Sequence, residues 1–128
     1  MVSLISQKNN QVIVNNTTMA GSWIKRLIGL LTYSDLKPGE GLWLSQCQSI
    51  HTIGMRFSID VLFLDQAMQV TKVAHNVKPF RVCWAGKPSV SVLELPAGTL
   101  KGLNLMIGDK LVAKPGRVTD ETQSNSYD

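Results

Sequence analysis

The chain has 128 residues, 44% of them apolar and 17% charged, which fits one globular domain and excludes disorder for most of its length and any need for disulfide or metal staples. Net charge is +4; with two basic and three acidic residues beyond Ala113, residues 1–113 carry 11 basic against 6 acidic side chains, or +5. The basic residues are scattered, with Lys25-Arg26 the only adjacent pair before the tail, so the linear chain offers no continuous patch for a phosphate backbone and nucleic acid is disfavoured as a partner.

Taken in order, Met1–Lys8 has neither a cationic n-region nor a small-residue cleavage site, so a cytoplasmic location is expected, with Cys47 and Cys83 as free thiols. No apolar run approaches the ~20 residues of a membrane span. Gln11 to Asn15 alternates around Val12 and Val14, which predicts a short strand turning at Asn15-Asn16. Trp23, Leu27, Leu30 and Leu31 recur at helical spacing behind Ser22, predicting a short amphipathic helix over 22–31. Pro38-Gly39 and Gly41 make a loop, and Leu42-Trp43-Leu44 reads as a short apolar strand.

From Phe57 the odd positions Phe57, Ile59, Val61 and Phe63 are all large and apolar, while Ser58, Asp60, Leu62 and Leu64 alternate with them. That is a strand with its odd face in a core, and it leaves Asp60 half-buried on the other face. Asp65-Gln66-Ala67 predicts a hairpin into a return strand over 68–75, nearer an edge of the sheet because it is less apolar. Phe80 to Trp84 is another short extended segment, broken by Gly86-Lys87-Pro88, and Val90 to Leu95 is a strand stopped by Pro96. Gly98 to Leu105 is read as a helical turn, Gly108-Asp109 as a turn, and Lys110 to Ala113 as a last strand. The expected fold is mainly β, a single-domain sandwich or barrel over residues 1–113 with one or two short helices, followed by a disordered tail from Lys114.

The reactive side chains gather near the central strand. Cys47, His51, His75 and Cys83 would complete a zinc set, but none of the tight Cys-Cys or His-His pairs of structural zinc sites is present, so no metal and no cofactor is expected. Cys47 with His51 could serve as nucleophile and base, and Asp60 with Glu94 as an acid and base couple, yet no complete nucleophile, base and orienter set can be placed. Glu94 lies inside Val92-Leu93-Glu94-Leu95, where a carboxylate needs compensation. Arg56 is the expected partner of Asp60 or Glu94.

Several runs carry a family likeness: Gly39-Glu40-Gly41-Leu42-Trp43-Leu44, His51-Thr52-x-Gly54-Met55-Arg56-x-x-Ile59-Asp60, Val92-Leu93-Glu94-Leu95-Pro96-Ala97-Gly98 and Gly108-Asp109. In these, over about residues 10–113, the chain resembles the domain of unknown function family 192. The resemblance implies a β-rich single domain and carries no activity, substrate or cofactor. The chain departs from the pattern after Asp65, where Met68 takes the place expected for Gly. The leading functional expectation is a small-molecule or peptide binding module, its pocket lined by His51, Arg56, Asp60 and Glu94 with Cys47, Trp43 and Trp84 nearby. An adaptor domain for a protein partner is second, and an enzyme third.

Overall fold

The computed structural model describes residues 2–21, 36–52 and 57–116. The expected helix over 22–31 and the residues Gly54 and Arg56 therefore lie outside the described part, as does the tail beyond Gly116. Nine strands are described: β1 (Val2–Ser6), β2 (Val12–Gly21), β3 (Glu40–Ser45), β4 (Ser49–His51), β5 (Ile59–Leu64), β6 (Val70–Val77), β7 (Val82–Trp84), β8 (Ser91–Pro96) and β9 (Leu111–Pro115). Seven form one sheet in the order β6-β5-β8-β3-β2-β1-β9, and β4 pairs with β7 in a separate ribbon. The pairings in the large sheet are antiparallel except β2 with β3, which is parallel.

The sheet curls until its two edges meet at one end. Gln69 bridges Lys110, Val70 N–H donates to the Asp109 carbonyl at 2.8 Å and Leu111 N–H to the Met68 carbonyl at 2.9 Å. Curling gives the sheet an inner and an outer face, and each has its own core. Leu4, Val14, Leu62, Leu64, Val70, Leu93, Leu95 and Leu111 form a cluster drawn from six of the seven strands, with Trp43 of β3 packed against it. A cluster fed from every strand must occupy the concave side. Leu42, Leu44, Ile59, Val61, Phe63 and Val92 form the other, capped by Cys47, Ile50 and Cys83 from β4, β7 and the approach to β4, and by Leu36 from the segment before β3.

Residues 59–64 are consequently buried on both faces. The odd positions do face a core, as the alternation implies, but Asp60 is 1% exposed rather than half-buried. A near-continuous apolar strand flanked by two others in a sheet covered on both faces hides such two-sided burial from a period-two reading.

Other local differences have local causes. β1 and β4 have no counterpart among the expected strands, and β2 continues through Asn15-Asn16 to Gly21 because both asparagine N–H groups bond the Gly39 carbonyl at 3.0 Å and lead into the parallel pairing with β3. The hairpin after Asp65 forms with Met68 at φ 66°, the left-handed conformation that glycine would adopt more cheaply. Asp65 steadies that turn by accepting N–H bonds from Ala67 at 2.8 Å and Gln69 at 2.9 Å. β6 is an edge strand, and its pairing slips twice: Phe63 faces Lys72 while Leu64 faces Val70, and Val61 faces Ala74 while Ile59 faces Val77. These bulges break the simple alternation over 68–75 and set His75 and Asn76 together opposite Asp60. Residues 97–103 form a succession of turns, with Thr99, Lys101 and Leu103 N–H each bonding the carbonyl three residues back, rather than a helix. β9 runs on to Pro115, two residues past the expected end, with Lys114 opposite Ser3.

Candidate functional site: the Asp60 cleft

Asp60 lies on the inner face of β5, beside Leu95 of β8. Its carboxylate accepts three backbone N–H groups: Asn76 on Oδ1 at 2.9 Å, and Gly98 and Leu100 on Oδ2, each at 3.0 Å. A buried carboxylate requires donors of this kind. Asn76 belongs to the β6 bulge, at φ 53°, and Gly98 and Leu100 to the turns after β8. One side chain therefore holds together two segments that no strand pairing joins.

Between those segments opens a cleft of about 720 Å³, with Asp60 at its floor, His75 and Asn76 on one wall, and Ala97, Gly98, Leu100, Lys101, Gly102, Asn104 and Leu105 on the other. Gly98 adopts φ 91° although a Cβ there would touch nothing within 4 Å, so backbone conformation and not space selects glycine. Leu100, 3% exposed, anchors the loop in the inner core. The far end is tied by Lys8, whose ammonium donates to the Asn104 carbonyl at 2.6 Å and to Asp109 at 2.7 Å. That hydrogen bond, with a second from Met106 N–H, holds the Asp109 carboxyl below the usual carboxylate range.

The residues singled out from the sequence do not all share this site. Glu94, wholly buried, pairs with Leu42 and Val61 and so projects to the outer face. Asp60 and Glu94 are thus separated by the thickness of the sheet, which rules out an acid and base couple built from the two. Trp43 packs on the inner core, and Cys47 and Cys83 on the outer one. His51 stands on β4 opposite Val82, its side chain outside the described part, as is Arg56. Among the described residues no three His, Cys, Asp or Glu side chains converge as metal ligands.

The neighbours of the His51-Thr52 motif explain part of it structurally. Thr52, 1% exposed, donates its hydroxyl to the Lys78 carbonyl at 2.7 Å and accepts Arg81 N–H at 2.8 Å. It clamps the 78–81 loop onto the end of β4. The sequence reading places His75 only in the disfavoured zinc set and assigns the 97–105 loop to no site. The signal available was two glycines and an asparagine within 98–104, residues suited to left-handed backbone.

Both cysteines are buried free thiols. Cys47 donates its S–H to the Ser49 carbonyl at 2.8 Å. Burial pushes the Cys83 thiol up, and nearby Lys72 only partly opposes it. The folded chain therefore holds this proton more tightly than the unfolded chain, so stability is retained below the ordinary thiol range and falls as pH rises through it. In urea melts from about pH 7 to about pH 10, wild type is expected to lose more stability than Cys83→Ala. Parallel pH profiles for the two proteins would contradict the assignment.

The DUF192 family profile, described as "Uncharacterized ACR", matches residues 4–113. A UPF0127 protein of Pyrococcus abyssi is 32% identical over 99 residues, covering 73% of this chain and 81% of its own length. A second, from Pyrococcus furiosus, is 33% identical over 63 residues, a match that spans 49% of this chain and about half (53%) of the relative. Among solved structures, a protein of unknown function from Novosphingobium aromaticivorans superposes with a TM-score of 0.71 at 20% identity, covering 87% of this chain and 82% of its own. A protein from Sinorhizobium meliloti described as a "putative transcription regulator" gives 0.71 at 23% identity, covering 88% of this chain and 91% of its own. These structural likenesses show the fold, and the sequence matches show descent: the chain belongs to the DUF192 family.

Proposed function

We propose that the chain is a binding module for a small anionic molecule, and that the cleft above Asp60 is its site. The observation that carries this reading is the buried carboxylate of Asp60, bonded to backbone N–H groups from both cleft walls. A charge kept in the interior to fix the shape of an open cleft is what pre-organisation of a binding site requires. Ligand charge follows from the lining. Among the described residues of the lining, Asp60 is the only acid and is already engaged, whereas His75 and Lys101 are the basic groups. Ala97 and Leu105 add apolar surface for a short carbon skeleton.

The test is a titration of ¹⁵N-labelled protein with acetate, inorganic phosphate and glycerol 3-phosphate, followed by amide shifts. Saturable shifts centred on His75, Gly98, Lys101 and Gly102 are expected with at least one probe, and Lys101→Ala should weaken them. Shifts absent for all three at millimolar concentration, or spread without regard to the cleft, would overturn the reading.

A further inference from the structure

A second surface, on the opposite side of the ribbon from the outer core, is independent of the cleft. Around Cys83, which points inward and is buried, β7 and its approach leave Phe80 69%, Val82 72% and Trp84 64% exposed. Three large apolar side chains at every second residue of a short ribbon are unusual on a free surface. Their presentation is fixed rather than loose. The Phe80 backbone is held at φ 61°, a conformation a bulky residue seldom adopts, within the loop that Thr52 clamps. The Trp84 ring lies over Gly86 so closely that a Cβ there would come within 2.7 Å of it.

The stretch of chain that contains this ribbon strand carries charge of one sign. From Gln66 to Leu93 the chain has no Asp or Glu, while it carries Lys72, Lys78, Arg81 and Lys87. Two of these cations are placed at the aromatic residues: Lys72 donates to the Trp84 carbonyl at 2.6 Å, and the Arg81 guanidinium reaches the Phe80 carbonyl at 3.4 Å. Lys78 and Lys87 sit in the segments that lead into and out of β7. These four cations thus bond the ribbon strand and its approach or lie within a few residues of it. A second copy meeting this face symmetrically would set these charges against their own kind. The charge calls for an anionic partner.

We infer that the Phe80-Val82-Trp84 face binds single-stranded nucleic acid, with bases stacked on the two aromatic rings and phosphates met by Lys78, Arg81 and Lys87. Rings held in place and flanked by cations are the parts of a stacking platform. A lipid surface would need the same charge and apolar tips but no fixed ring geometry.

Fluorescence anisotropy of a labelled oligouridylate about a dozen nucleotides long, at low salt, tests this. Wild type is expected to bind, with affinity falling as salt rises. Trp84→Ala and Phe80→Ala should each weaken binding by roughly tenfold or more, and Trp84→Phe should retain most of it. Arg81→Ala with Lys87→Ala should flatten the salt dependence. Circular dichroism confirms folding, which these exposed positions should not disturb. Three results would overturn the proposal: no oligonucleotide binding at about 100 μM protein at low salt; equal binding by the aromatic variants; or equally tight, equally Trp84-dependent binding to phosphatidylserine vesicles or polyglutamate.

Discussion

Replacing Asp60 with alanine is expected to destabilise the fold by about 3 kcal/mol or more, since each backbone donor left without an acceptor out of water costs about 1–3 kcal/mol. Three donors lose their acceptor at once, those of Asn76, Gly98 and Leu100, and the bond from Leu100 is fully buried. Asp60→Asn is the gentler variant. It keeps the volume and one acceptor oxygen but turns an NH₂ group toward backbone N–H groups that also donate. Its loss should be smaller and still exceed about 1 kcal/mol. Urea denaturation measures the stability, and hydrogen exchange locates the change: the amides of Asn76, Gly98 and Leu100 should lose protection first. An asparagine variant as stable as wild type, with those amides unchanged, would show that Asp60 is not what joins the walls of the cleft.

The two-faced burial of β5 has a similarly large consequence. Ile59 faces the outer core and Leu62 the inner one, and both are 0% exposed. Ile59→Ala and Leu62→Ala should therefore each cost about 2–5 kcal/mol, the lost transfer free energy plus a cavity on one side of the sheet. A sheet covered on one face only would give a large loss for Ile59→Ala and under about 1 kcal/mol for Leu62→Ala. Denaturant melts of the two variants distinguish these arrangements.

The positions of most strands along the chain were legible because their signals are local. The alternation around Val61, the wholly apolar Leu42-Trp43-Leu44, and the breaks at Gly86 and Pro96 depend on a few neighbouring residues. Asp60 was legible as a carboxylate that needs donors, though not as one satisfied by backbone N–H groups from two distant segments. The separation of Asp60 from Glu94 was not legible. Val61 pairs with Glu94, so Asp60 lies one residue from that pair, and one residue along a strand is the difference between the two faces of a sheet.

By itself, then, the sequence determined that this is a β-rich domain of the DUF192 family, where most of its strands and turns fall, and that the odd face of β5 lies in a core. Period-two patterning and turn chemistry specify those features within a few residues. Tertiary structure alone decided the parallel pairing of β2 with β3, the curl that joins β6 to β9, the burial of both faces of β5, and the meeting of the His75-Asn76 bulge with the Gly98–Leu105 loop at Asp60. Each is a choice of register or closure between segments far apart in the chain. Such a choice is made by which faces can be buried together, and no local pattern records it.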